Sequence, residues 1–468
     1  MNFASLPYLV FLVIVVAIYF SISKKYKSYF LLIASYFFYS IFGFGFAALM
    51  LITSGVTYYF SLLSYKSTDH KKRKQFFYLG IIIDLLLFIL FKYVHIIDID
   101  VMNWPNFTVQ KVLIPIGISF YTFKTVGYCI DIYKRKYEPI KSFTKYALSV
   151  SFFPQLIAGP IEKSKTICHQ LNHSSYHKQN IIAGGKLILW GLFKKIVIAD
   201  SIAQIINPVF NNINSYNGLD YWIVFFAFTY QVYADFSGYS DIAIGSAKCF
   251  GVDLPANFNK PFFAKTISEF WRRWHITLYK WFKEYVYDAL LKGNEKQSKI
   301  STILKIAVVF LLVGLWHGAT LNYICYVLTA YSWLLIEFST RNARRKVLGR
   351  IYLKSDSYVI KIINYFFIIL MISSFEIFFK GNTISYSVYI FKHLFPLHLY
   401  NFKFMNIFYI ILSIFVLEFL QYFQISPTGN CFEGIKTFSI RLLLYLFLIF
   451  SILIMSSRPE LTFQYYQF

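Results

Sequence analysis

The chain alternates long apolar runs with short polar ones, and the runs have the length of membrane-spanning helices. The first lies in the N-terminal MNFASLPYLVFLVIVVAIYFSISKK, where no charge precedes it and Lys24, Lys25 and Lys27 follow it. A cleavable signal places its bases ahead of its apolar core. The opposite order here predicts a retained helix with its N-terminus outside the cytoplasm. A shorter run at 29–42 predicts a second helix, FGFGF at 42–46 a turn, and the residues to about Leu63 a third helix. The basic loop Lys66–Lys74 and a fourth span at 76–93 come next. Residues 94–112 hold Asp98, Asp100 and few bases, and a fifth span closes at Lys134, Arg135 and Lys136. Basic and base-poor loops thus alternate, as the orientation bias of membrane helices requires.

Farther along, SFFPQLIAGPIE at 151–162 is apolar but broken by Pro154, Gly159 and Pro160. That predicts a re-entrant or discontinuous element, tolerated at membrane depth only inside protein or beside a water-filled cavity. Apolar stretches recur at 187–209, 221–247, 303–339, 358–379, 403–424 and 436–455, some long enough for helix pairs. At about 20 residues per span this predicts roughly eleven transmembrane helices. The fold class expected is an all-α polytopic membrane protein, a single integral membrane domain over 1–468 without internal repeats.

The longest hydrophilic segment, 248–301, contains a second kind of pattern. From Ile267 to Val286, apolar residues fall at 267, 270, 271, 274, 278, 281, 282 and 285, the spacing of a helix. Arg272, Arg273, Lys280 and Lys283 occupy much of the remaining surface. The pattern predicts one amphipathic helix with three tryptophans, suited to a membrane interface, with Ser268 as its N-cap signal. At 100° per residue, Trp271, Leu278 and Phe282 lie within about 60° of His275. His275 is therefore either a buried imidazole satisfied by a backbone carbonyl or a polar group lining a reaction chamber.

Composition agrees with the pattern. Hydrophobic residues make up 57% and charged residues 15%, against about 45–50% and 25% in soluble domains. That excludes a soluble enzyme, a disordered chain and a secreted disulfide scaffold. The net charge of +24 is spread in short runs between spans, which fits basic cytoplasmic loops and not a nucleic-acid surface. Cys129, Cys168, Cys249, Cys325 and Cys431 are far apart in sequence and none has a histidine at zinc-like spacing, so neither a structural disulfide nor a metal site is expected.

Two polar clusters interrupt the apolar stretches. Leu315-Trp316-His317-Gly318-Ala319-Thr320-Leu321-Asn322 puts a histidine among glycines, since Gly314 and Gly318 flank it. An ionisable residue at membrane depth is costly and often functional; a glycine pair that packs helices with an incidental histidine is the alternative. Tyr230 to Asp241 gathers two acids, a glutamine, three tyrosines and two serines around Gly238. It reads as a substrate contact or as a hydrogen-bonded network between helices, with Asp235 assigned to structure and Asp241 left open. Asp84, Glu337, Glu376 and Glu418 are lone acids in apolar runs without an assigned role. No P-loop, nucleophile elbow or zinc-protease motif is present.

Six segments taken together resemble the membrane-bound O-acyltransferase family, in particular its bacterial branch that acetylates envelope polysaccharides. They are Phe153-Pro154-Gln155-Leu156-Ile157-Ala158-Gly159-Pro160-Ile161, Gly191-Leu192-Phe193-Lys194-Lys195 with Ala199-Asp200, and Asp235-Phe236-Ser237-Gly238-Tyr239-Ser240-Asp241. Asn257-Phe258-Asn259-Lys260-Pro261-Phe262, Phe270-Trp271-Arg272-Arg273-Trp274-His275 and Gly314-Leu315-Trp316-His317-Gly318-Ala319 complete the set. They run in the family's order over about 115–340. The resemblance implies a ring of helices around a central tunnel, with re-entrant and interfacial helices. It also implies His317 as catalytic and His275 as supporting. Asn322, Trp316, Asp241, Trp274, Arg272 and Arg273 are the expected supporting or substrate-binding residues. Leu321, Glu295 and Lys380 depart from the family pattern, where Trp, Arg and Arg are usual.

The function implied is transfer of an acetyl group from a cytoplasmic thioester, acetyl-CoA or another acyl thioester, to hydroxyls of an extracytoplasmic cell-envelope polysaccharide. No bound cofactor or metal is expected. The expected setting is the bacterial cytoplasmic membrane, multi-pass, with membrane lipid around the chain and a periplasmic or secreted esterase-like partner protein. Arg272, Arg273, Lys280 and Lys283 would meet lipid headgroups or, on the sharper reading, the donor's phosphates. D-alanyl transfer to teichoic acid is the alternative within the family. A non-enzymatic polysaccharide flippase or transporter, or a membrane scaffold, is the alternative outside it.

Overall fold

The computed structural model describes residues 2–93, 115–291, 298–318, 320–350, 357–381, 383–395, 402–424, 426, 428, 432 and 434–456. Every regular element among them is helical. The chain divides into two compact units, Met1–Ile188 with Tyr239–Pro255 and Leu189–Gly238 with Ala256–Phe468.

The first unit opens with α1 (Leu6–Ser21), capped by Ser5, whose hydroxyl accepts from the Tyr8 N–H at 3.4 Å. Next, α2 (Lys24–Ser40) begins at the lysines and not at the apolar run. The Lys27 ammonium there lies 4.8 and 4.9 Å over the Tyr19 and Phe20 rings, so its stem packs while its charge stays at the surface. The predicted FGFGF turn is present. Gly43 takes φ 151°, a conformation open to glycine, and Gly45 already belongs to α3 (Phe44–Lys66). The next helices, α4 (His70–Tyr93) and α5 (Ile118–Tyr133), pack on α3. Asp84 of α4 finds a partner on α5, accepting from the Thr125 hydroxyl at 2.6 Å. The segment with Asp98 and Asp100 lies outside the described residues.

The run expected to be discontinuous is so. Phe152 separates α6 (Phe143–Ser151) from α7 (Phe153–Leu156), and α8 (Ser164–Asn172) follows an extended stretch. Residues 151–160 are all buried in protein. Their broken backbone is satisfied by side chains: the Ser35 hydroxyl accepts from the Phe153 N–H at 3.2 Å, and the Gln155 amide donates to the Pro160 carbonyl. Lys124 in turn donates to the Gln155 side chain at 2.7 Å.

The last helix to begin in this unit, α9 (Lys178–Leu192), runs on in the second unit through a π-helical segment (Phe193–Ala199) into α10 (Asp200–Asn211). α11 (Leu219–Cys249) starts in the second unit and ends in the first. Lys195, buried in the π segment, bridges Asp200 at 2.6 Å and Asp235 of α11 at 2.9 Å. Asp235 is thus held in a buried ion pair. Gly238 serves a close approach and not a break: a Cβ there would lie 2.8 Å from the Gly191 carbonyl oxygen.

The amphipathic stretch is not one helix. It is α12 (Ile267–Arg273), α13 (Ile276–Phe282), a π segment (Lys283–Tyr287) and α14 (Asp288–Leu290). The 303–339 run is a helix pair, α15 (Lys299–His317) and α16 (Leu321–Arg350). Then follow α17 (Tyr358–Lys380), α18 (Ile384–Lys392), α19 (Phe404–Tyr422) and α20 (Phe438–Met455). Among the described residues α3, α4, α15, α16, α17, α19 and α20 are long and apolar enough to cross a membrane, which makes this a multi-pass membrane protein. The first helix is equally apolar but has 16 residues.

Candidate active site

The break between α12 and α13 builds the site. Trp274 ends α12 in an extended conformation, and His275 then adopts φ 42° and ψ 53°. This left-handed conformation is disfavoured for any residue with a Cβ and is held by neighbours. The Ile276 N–H donates to the Asn257 carbonyl at 2.8 Å, and the Asn259 N–H to the Arg273 carbonyl at 3.0 Å. The Asn257 side-chain oxygen accepts from the Thr277 hydroxyl at 2.9 Å and lies 3.0 Å from His275 Nδ1. The N-cap of α12 is Thr266 and not Ser268: the Thr266 hydroxyl oxygen accepts from the Glu269 N–H at 3.1 Å. Ser268 instead donates through its N–H and its hydroxyl to Glu337 of α16, both at 3.0 Å.

His275 and His317 line the same cavity of about 400 Å³ in the second unit. Its walls are mostly apolar, from α12, α13, α15 and α16, and include Trp271, Leu278, Val313, Tyr326 and Val327. Among its lining residues Arg272, Tyr279, Lys283 and Phe338 are exposed, so cations stand where the cavity meets the surface. Both imidazoles are buried. Burial pushes the His275 ring down to about 3, so it is a neutral acceptor-donor at physiological pH. Among the described residues no group of three or more histidine, cysteine, aspartate or glutamate side chains is placed to hold a metal ion.

His317 is the last residue of α15, with its ring centroid 5.4 Å from those of Tyr326 and Phe379 and 6.1 Å from that of Tyr323. The flanking glycines are explained by helix packing. A Cβ on Gly314 would lie 2.6 Å from Val327 Cγ2, and one on Gly318 2.4 Å from Tyr323 Cε2. They let α16 close over the histidine, which itself lines the cavity.

The remaining predicted residues separate. Trp274 lines the cavity and packs on Phe258, Phe270 and Tyr233. Trp316 stands between the histidines, 6.2 Å from the His275 ring and 4.4 Å from the His317 ring, without lining the cavity. Arg272 lines it; Arg273 does not, and is held by Glu269 at 2.6 Å and the Lys260 carbonyl at 3.4 Å. Asn322 donates to the Gly381 carbonyl at the end of α17, which ties two helices together away from the cavity lining. Asp241 is buried in the first unit and is not among the lining residues. Glu295 lies outside the described residues. Asn257 and Tyr326 are not singled out by the sequence, and Glu337 stands out there only as a lone acid without an assigned role. Asn257 lies inside a matched segment, which is the available signal; one tyrosine of 39 gives none.

A model of the membrane-bound O-acyltransferase family matches residues 133–379. The chain is 35% identical to a probable alginate O-acetylase of Pseudomonas aeruginosa, over 72% of this chain and 66% of that protein. It is 32% identical to a peptidoglycan O-acetyltransferase of Helicobacter pylori, over 68% and 65%. To a teichoic acid D-alanyltransferase of Bacillus subtilis it is 26% identical, over 47% and 58%. The chain therefore spans just under two thirds of the length of the first two relatives.

Proposed function

The chain belongs to the membrane-bound O-acyltransferase family, and from that membership we propose that it transfers an acetyl group to hydroxyls of a cell-envelope polysaccharide. The donor in this reading is acetyl-CoA or another cytoplasmic acyl thioester, reached from the cytoplasmic face of the bacterial inner membrane. The acceptor is a peptidoglycan, alginate-like or capsular hydroxyl outside that membrane. A secreted or periplasmic esterase-like partner completes delivery to the polymer. About eleven spans in a ring around a central tunnel would connect the two faces.

The observation that carries the reading is the pairing of two buried histidines in one apolar cavity with exposed cations among its walls. A neutral imidazole accepts the proton of the attacking hydroxyl as its oxygen bonds to the thioester carbonyl carbon. The carbon–sulfur bond then breaks, and the same proton passes to the departing sulfur. His317 takes this role and His275 supports it. The apolar walls exclude water, which would hydrolyse the thioester. Arg272 and Lys283 meet the phosphates that CoA-like donors carry, or the lipid headgroups around them.

The test compares base-labile acetate in separated peptidoglycan and polysaccharide fractions between cells with the native protein and cells with His317→Ala, at matched membrane abundance. Acetate lost from one fraction identifies the acceptor. Unchanged acetate in every fraction removes the reading and moves D-alanyl transfer, scored as ester-linked D-alanine, to the front.

A further inference from the structure

We propose that Asn257 is a positioning residue that fixes the His275 imidazole as its Nδ1–H tautomer, so that the ring acts through the lone pair on Nε2. The proposal rests on the acyl-transfer reading only for its activity readout, not for its structural one. The side-chain oxygen of Asn257 faces the Thr277 N–H at 3.4 Å and the Thr277 hydroxyl at 2.9 Å. A backbone N–H can only donate, so the amide oxygen and not the amide nitrogen points this way. The same oxygen lies 3.0 Å from His275 Nδ1. An amide oxygen can only accept, so Nδ1 carries the hydrogen and the neutral ring keeps its basic lone pair on Nε2.

The arrangement is built twice over. Asn257 and His275 are both buried. The backbone carbonyl of Asn257 accepts from Ile276 at 2.8 Å, so one residue holds both the left-handed main chain at His275 and its side chain. The Phe236 ring stands edge-on to the imidazole at 4.8 Å and the Trp316 ring at 6.2 Å, which restrict rotation about the remaining axis. The other titratable groups lining the same cavity are Arg272, Tyr279, Lys283, Tyr287, His317 and Tyr326. On α11, the neighbour of Phe236 is Asp235, which is paired with Lys195. The acceptor at Nδ1 is the neutral amide oxygen of Asn257, and no carboxylate lines the cavity. This orients the ring without making it more basic.

The full-length protein in detergent, labelled with 15N-histidine, gives the ring-nitrogen spectrum, and His275→Gln identifies the His275 signals. The native signal is expected to be that of a neutral Nδ1–H ring. Asn257→Leu removes the accepting oxygen at similar volume. It is expected to shift the signal toward the Nε2–H tautomer and to lower kcat on the order of 10²-fold, the scale of a misoriented group beside the reacting atoms, with KM for the thioester little changed. Asn257→Asp keeps an acceptor for all three donors but adds a charge. It is expected to retain the Nδ1–H tautomer and to give a kcat profile with an acid limb moved to higher pH, because the carboxylate favours the charged ring. An unchanged tautomer in Asn257→Leu, or a pH profile of Asn257→Asp that superimposes on the native one, overturns the proposal. If the tautomer moves as stated while no variant or native protein transfers acetyl, Asn257 keeps its role and the acyl-transfer reading fails.

Discussion

Gly318→Ala tests whether the packing of α16 against the end of α15 sets the position of the His317 imidazole, the base in the proposed mechanism. A Cβ at this position would stand 2.4 and 2.5 Å from Cε2 and Cδ2 of Tyr323, where ordinary contact begins at 3.4 Å. The tyrosine ring must therefore withdraw by about 1 Å. Gly318 itself has φ 174°, extended backbone open to alanine, so the cost falls on Tyr323 and not on the main chain. Overpacking of this kind costs about 1–3 kcal/mol. The Tyr323 ring lies nearly parallel to that of His317, at 21° and 6.1 Å, so the displacement reaches the histidine. A misplacement of about 1 Å in a reacting group lowers turnover on the order of 10²-fold.

The assay is acyl transfer from a radiolabelled thioester in membranes, with thermal unfolding in detergent run alongside. Tyr323→Ala alone removes a packed ring and is expected to be mildly impaired. Combined with Gly318→Ala it should recover activity relative to Gly318→Ala, because the two substitutions share one contact and do not add. Native turnover in Gly318→Ala, or strictly additive losses in the double variant, would refute the reasoning.

Arg272→Gln is expected to raise KM for the thioester about tenfold at low salt with kcat held, an effect that shrinks as salt screens the exposed charge. Arg273→Gln should leave KM unchanged and lower thermal stability instead, through its lost bond to Glu269; the opposite assignment of the two effects would reverse their roles. Asp235→Leu leaves the buried Lys195 ammonium with Asp200 and without its second carboxylate, and is expected to cost about 3–5 kcal/mol. Adding Lys195→Met should restore part of that stability, and a scan of unfolding temperature in detergent measures both.

The sequence located the spanning helices α3, α4, α15, α16, α17, α19 and α20 because length and hydropathy are summed properties that survive local error. Pro154, Gly159 and Pro160 likewise announced the interrupted segment, since each acts on its own backbone. Partner choice was not visible. Arg272 and Arg273 are neighbours of one type, and only the position of Glu269, one helical turn before Arg273, assigns one to an ion pair and leaves the other at the cavity. Asn322 sits close to His317 in sequence, yet its amide is spent on Gly381, 59 residues away. The shared cavity of His275 and His317 depends on α12, α13, α15 and α16 packing together, and periodicity carries no information about which helices meet.

The backbone at His275 gives the sharpest separation between pattern and structure, because the two make predictions of opposite sign. Hydrophobic spacing through Trp274 and Leu278 describes one continuous helix, in which His275→Gly is less stable than His275→Ala by about 0.5–1 kcal/mol. The bonds from Asn257, 18 residues earlier, instead hold the residue at φ 42°. There a Cβ costs about 1–2 kcal/mol and glycine costs little. Both variants lose the imidazole and its contacts with Phe236 and Trp316, so those losses largely cancel in the comparison. Set against the greater entropy glycine gives the unfolded chain, the left-handed backbone leaves His275→Gly the more stable by up to about 1 kcal/mol. Thermal unfolding of the two in the same detergent decides the sign. A more stable alanine variant would return the segment to a continuous helix, and with it the proposed hold of Asn257 on the ring would fall.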